Sequence, residues 1–120
     1  MIPSVVYGAL HGHSPLAALV STRIYRDHAG DAPAAPYVVW SILATATSQG
    51  MDRNAGYADR YSVSVDVFGT TEAQSDALVT VARDAMETIG LLSSGPQSLG
   101  REVETDLWRY TFTTDVFRNR

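Results

Sequence analysis

From Tyr61 to Val67 apolar and polar residues alternate without exception: Tyr61, Val63, Val65 and Val67 against Ser62, Ser64 and Asp66. Successive side chains of a strand point to opposite faces, so this segment is a strand with one face to bury and one that tolerates water. The chain must therefore supply a second layer to cover the valines. Two more strands follow from similar signals. Within the segment from Val103 to Phe117, Trp108, Tyr110, Phe112 and Val116 alternate with Arg109, Thr111, Thr113 and Asp115. In DAPAAPYVVW, Asp31 to Trp40, Pro36 biases Ala35 towards extended backbone and donates no hydrogen bond, which suits the first position of a strand. Tyr37, Val38, Val39 and Trp40 bring the β-branched and aromatic bulk that strands favour, and this strand runs to about Thr47. With the Tyr61 strand it makes a hairpin whose long, polar, glycine-containing tip covers Ser48 to Gly56.

Helices provide the cover. Thr71 and Gln74 have capping-box spacing, and behind them Leu78, Val81, Ala82, Ala85, Met86 and Ile89 recur at helical intervals, with Gly90 as the expected C-terminal stop. Ile2, Val5, Val6, Ala9 and Leu10 predict a short amphipathic helix that His11-Gly12-His13 interrupts. Ser14-Pro15 then reads as an N-cap followed by proline at the first helical position, with Leu16, Leu19 and Val20 on the buried side. Arg23-Ile24-Tyr25 reads as a brief extended piece before a loop from Arg26 to Pro36, and Leu91 to Gly100 as loop, or a short strand followed by loop. The order helix, strand, strand, helix, strand predicts one α+β domain over residues 1–120. Its sheet is mostly antiparallel, of about four strands, with two to three helices packed on it.

Composition narrows the chemistry. A chain of 120 residues buries roughly two thirds of its unfolded surface. Charged residues make up 18%, below the usual ~25%, which fits either a Ser/Thr-rich surface or one covered by other subunits, since interface cores are depleted in charge. The formal charge is −4 and there is no lysine, which excludes Schiff-base chemistry and a P-loop lysine and disfavours a lysine-rich nucleic-acid patch. Cysteine is absent, so disulfides, thiolate metal sites and thiol nucleophiles are excluded. MIPSVVYGALHGHSP lacks a basic start and makes a poor signal peptide, and no run approaches the ~20 apolar residues of a membrane span, so a soluble compartment is expected.

No motif rises to a catalytic set. His11 and His13 would need His28 and Asp31 from a loop to complete a metal site, and surface-loop histidines are the simpler reading. Asp52-Arg53-Asn54-Ala55-Gly56 lacks the third acidic position of a calcium loop, and Val63 stands where its closing Glu would be. Gly90 to Gly95 has Walker spacing, but Pro96-Gln97 replaces the phosphate-contacting pair. Neither G-x-S-x-G nor G-x-G-x-x-G occurs. Arg118-Asn119-Arg120 reads as a frayed basic tail rather than a nucleic-acid contact. These readings imply no cofactor and no metal. A second class stays open: a small cofactor-free α+β enzyme or ligand-binding domain, with a cavity lined by Trp40, Tyr61, Trp108 or Tyr110 and a convergent carboxylate such as Asp66.

The succession of Leu16-Ala-Ala-Leu-Val20, Arg23-Ile-Tyr25 and a proline-bearing loop entering Pro36-Tyr-Val-Val39 resembles the tail-completion, or tail-terminator, proteins of long-tailed bacteriophages. The continuation agrees: a strand like Tyr61-Ser-Val-Ser-Val-Asp-Val-Phe68, a Thr before an alanine-rich helix, and a closing aromatic strand. The resemblance spans nearly the whole chain, apart from the hairpin tip and the region from Ser93 to Glu104. It implies a structural, non-enzymatic virion protein at the head–tail junction, assembled in the bacterial host cytoplasm. Such a protein forms a ring, commonly a hexamer, that caps the tail tube, stops its polymerisation and docks the head connector. The partners implied are further copies of itself, the tail-tube protein and the connector, with DNA passing through unbound and no membrane. Asp52, Arg53, Asn54 and Tyr57 on the hairpin tip, with Arg26 and Asp31 on the loop before Pro36, are the candidate interface residues. Asp66, Glu102 and Glu104 are candidates for the bore, where acidic groups would repel passing phosphates; six chains would carry a formal charge of −24, from −4 each.

Overall fold

A computed structural model describes residues 2–30, 34–48 and 58–119. The described elements run α1 (Ile2–His11), α2 (Ser14–Val20), β1 (Ile24–Arg26), β2 (Tyr37–Ser48), β3 (Ala58–Gly69), α3 (Glu72–Glu87), β4 (Gly90–Glu102) and β5 (Leu107–Asn119). One five-stranded sheet has the order β1-β2-β3-β5-β4; only the β1–β2 pairing is parallel, and the other three are antiparallel. The helices pack on one face, so the fold is the α+β class that the alternating strands require. None of the described helices is long and apolar enough to cross a membrane.

The alternation of β3 decides which face is covered. Val63, Val65 and Val67 are buried, and opposite them on β5 stand Thr114, Phe112 and Tyr110. Val38 and Trp40 of β2 extend this surface, and Val6, Leu10, Leu16, Val20, Leu78, Val79, Ala82, Ala85 and Met86 close over it from the helices. Val81 and Ile89, read as core, are partly buried at its margin, whereas Val79 and Ser75 are fully inside. Ser75 is tolerated there because its hydroxyl donates to the Trp108 carbonyl at 2.8 Å.

α3 begins as the sequence indicates. The Thr71 hydroxyl accepts from the Gln74 N–H at 3.1 Å, while the Gln74 side chain reaches one residue further out and accepts from the Thr70 N–H at 2.7 Å. Replacing Thr71 by Ala removes the first of these bonds. The expected cost is about 1 kcal/mol, read from the urea midpoint of unfolding.

Three local expectations are corrected. Ser14 is not the cap of α2: the His13 carbonyl accepts from the N–H groups of both Leu16 and Ala17 at 3.0 Å, so His13 stands at the cap and Ser14-Pro15 are the first helical residues. Gly90 does not stop α3, which ends at Thr88 in right-handed helical geometry; Gly90 opens β4, and a Cβ there would overlap the Asp115 carbonyl oxygen on β5. The segment Leu91 to Gly100 is not loop but the body of β4, a bulged edge strand with register shifts at Leu92/Ser94, Ser94/Gln97 and Ser98/Gly100. The final strand correspondingly starts at Leu107, and Val103–Asp106 make the turn, closed by the Asp106 N–H donating to the Glu102 carbonyl at 2.8 Å.

Candidate functional site

The face of the sheet away from the helices is built by the other half of the alternation. Register places Tyr37 of β2, Phe68 of β3 and Arg109 of β5 in one row across the strands, with Val39, Asp66 and Thr111 in the next. The Tyr37 and Phe68 rings stack with centroids 4.7 Å apart, and Tyr25 of β1 meets Tyr37 edge-on at 6.1 Å. The Arg109 guanidinium lies 5.4 Å from the Phe68 ring centroid, within reach of a cation–π attraction. Arg109 donates to Asp66 at 2.8 Å and approaches Glu102 of β4 at 4.0 Å. An aromatic–ionic cluster thus ties all five strands together on the uncovered face.

The electrostatics of this cluster are inward-looking. Asp66, whose side chain is only 18% exposed, has its charge answered by Arg109, and the triad of Asp66, Glu102 and Arg109 carries a formal −1. Burial pushes the Tyr37 hydroxyl above its ordinary pKa of 10.0, the nearby Glu102 carboxylate adds to the rise, and Arg109 opposes it. A raised folded-state value means that the folded protein holds the proton longer than the unfolded chain. Stability is therefore fully present below pH 10 and falls as pH rises past it. Tyr37→Phe keeps the stacked ring and should remove this alkaline loss, measured as the slope of urea midpoints between about pH 9 and 11.

Residues 27–30, just after β1, border this cluster. Together with Tyr37, Val39, Asp66, Phe68 and Arg109 they outline an open depression of about 250 Å³. Of its two carboxylates, Asp66 is engaged by Arg109 and Asp27 stands 3.9 Å from Arg26, while the His28 ring accepts from the Gly30 N–H. Another hollow, of about 380 Å³, lies between α1 and the β1–β2 edge, lined by Pro3, Ser4, Tyr7, Ile24, Arg26 and Trp40. There Arg26 stands 5.3 Å from the Trp40 ring and 3.9 Å from Asp27.

Of the candidate interface residues, Arg26 is exposed at the end of β1; Asp31, Asp52, Arg53, Asn54 and Tyr57 lie outside the described residues, as does most of the hairpin tip. Among the bore candidates, Asp66 and Glu102 meet around Arg109, while Glu104 stands exposed in the β4–β5 turn. The cavity imagined for a small enzyme does not assemble. Trp40, Tyr61, Trp108 and Tyr110 belong to the helix-covered face, and Asp66 to the opposite one, with the sheet between them. Arg109, Tyr37 and Phe68 are the members of the cluster that the sequence reading passed over. Only the strand register brings them together.

A family model described as "Tail completion protein gp17" matches this chain over residues 4–118. No curated protein matches it. Among solved structures, a chain of "Virion of native gene transfer agent (GTA) particle" superposes with a TM-score of 0.63 at 23% identity, covering 96% of this chain and 92% of that one. At that identity the likeness is one of fold.

Proposed function

Because the chain belongs to the tail completion protein gp17 family, and is thus a structural phage tail protein rather than an enzyme, we propose that it ends tail growth and joins tail to head. In this reading copies of the chain close a ring of six on the finished tail tube, stop its polymerisation and offer the docking surface for the head connector. The protein then resides in the virion at the head–tail junction, after assembly in the bacterial host cytoplasm. The observation that carries the reading is the family match, which runs through every described strand and helix rather than one motif.

The structure supports a part that works by surface and not by reaction. One sheet face is free of helices, and on it Asp66 and Glu102 gather around Arg109. DNA crossing a ring of such subunits meets a net negative assembly, since each chain carries −4, and so gains no counterion-release energy from binding. Arg109 offsets one of the two charges of Asp66 and Glu102, so that together they lend −1 to that field; Glu104 is the more exposed of the three bore candidates.

Deleting the gene from its phage genome and imaging the lysate tests the proposal. Tails of uncontrolled length and filled heads left unattached are expected. Tails of normal length joined to heads would overturn it.

A further inference from the structure

The two edges of the sheet invert the usual distribution of charge. Exposed edge strands of soluble proteins are ordinarily guarded by charged side chains, which prevent pairing with another chain. Here the interior strands carry the charges: Asp59, Arg60 and Asp66 on β3, and Arg109, Asp115 and Arg118 on β5. The edges carry none over long stretches, SILATATS from Ser41 to Ser48 on β2 and GLLSSGPQSLG from Gly90 to Gly100 on β4. β1 pairs with β2 only from Val38 to Trp40, so among the described residues no strand lies on that side of β2 beyond that point.

The open parts of both edges lie at the same height. Followed across the sheet, Ser41 stands level with Ser94, Ile42 with Leu92, Ala44 with Leu91 and Thr45 with Gly90. Below that level both edges are closed. β1 covers β2 at Val38–Trp40, and the corresponding stretch of β4 contains the bulge at Gly95-Pro96, where proline offers no N–H. Exposed leucines mark the open level on either side: Leu43 is 63% exposed, Leu91 68% and Leu92 37%. β2 and β4 also run in opposite directions, so a copy placed alongside in the same orientation sets β4 antiparallel to the β2 of its neighbour.

We propose that successive copies of this chain join edge to edge, the Gly90–Ser94 stretch of one pairing antiparallel with the Ser41–Thr45 stretch of the next. This rests on the ring reading and gives it a contact surface. The interface is head-to-tail: it uses two different edges, it leaves the open assembly one free edge of each kind until closure, and it generates a ring when the rotation closes. It also accounts for uncharged edges that would otherwise invite unspecific association.

The chain has no cysteine, so introduced thiols report cleanly. Leu43→Cys and Leu91→Cys are made singly and together; both side chains are exposed, and exposed substitutions usually change stability little. The purified proteins are incubated with tail-tube protein, treated with a short thiol–thiol cross-linker, and followed by native mass and denaturing gels. The double variant should give a ladder of covalent oligomers ending at the ring size, and each single variant none. Covalent dimers of Leu43→Cys alone would overturn the proposal in favour of β2–β2 pairing. Oligomers that form without cross-links would overturn the edge contact and leave the ring standing. A chain that stays monomeric beside the tube protein would overturn both. In an independent arm, Leu91→Lys should abolish assembly with the thermal midpoint unchanged, and undiminished assembly would count against the contact.

Discussion

Phe112→Ala should lower the free energy of unfolding by about 3–5 kcal/mol, seen as a large drop in the urea midpoint with an unchanged slope. Phe112 is only 1% exposed and lies on β5 directly opposite Val65, beneath the helical layer. Truncation removes the transfer free energy of a ring and leaves a void that the sheet cannot close, because hydrogen-bonded strands flank β5 on both sides. Domains of this size have about 5–15 kcal/mol in total, so the loss is a large part of the whole. Phe112→Leu, which refills most of the volume, should cost clearly less. A loss below about 1 kcal/mol for the alanine variant would mean that the covered face of the sheet is not packed as described.

Gly95→Ala should cost about 2–5 kcal/mol, from two additive sources. Gly95 has φ of +84°, a left-handed conformation that costs a residue with a Cβ roughly 1–2 kcal/mol. A Cβ there would also stand 2.8 Å from the Thr111 carbonyl oxygen and 3.1 Å from the Phe112 Cα, and such crowding typically costs ~1–3 kcal/mol more. Gly100 separates the two sources. Its φ is +78°, but a Cβ there would meet nothing within 4 Å, so Gly100→Ala should show the backbone part alone. Equal losses at the two sites would refute the close approach of β4 to β5 at the bulge. Hydrogen exchange adds a local readout: in Gly95→Ala the amides of β4 should lose protection before those of β3.

These positions also show where the sequence speaks and where it does not. α3 is legible because its signals are local: a cap at Thr71, its partner three residues on, and an apolar stripe with a helical period. β3 and β5 are legible because one face of each is buried, and burial imprints alternation. β4 has nothing buried to imprint a period, and its bulges absorb residues that would otherwise keep step, so Leu91 to Gly100 reads as loop, or a short strand followed by loop, although it lies within a thirteen-residue strand. Gly90 sits where a helix-stopping glycine would, yet its reason lies across the sheet at Asp115. The cluster on the open face is invisible for a related reason. Arg109 and Asp66 are 43 residues apart, and neither carries a local mark of the other. Asp66 stood out only as an acidic residue on a polar strand face; its partner and the Tyr37–Phe68 stack below it depend on a register that turns and bulges set.

The pairing of β2 with β3 continues from Tyr37 opposite Phe68 to Ser48 opposite Ala58. Strands of this length, twelve residues each, reach about 40 Å, whereas the sixteen residues of α3 reach about 24 Å. The sheet therefore outruns the helix that stiffens it, and mechanically it is a cantilever. A pull along the strands loads the whole row of cross-strand hydrogen bonds in shear, so that none can yield before the others. A pull across the sheet at β4 opens them one at a time, beginning at the bulges. The pairing is consequently strongest along the length of the strands and gives way first at the β4 flank, where the bulges interrupt it.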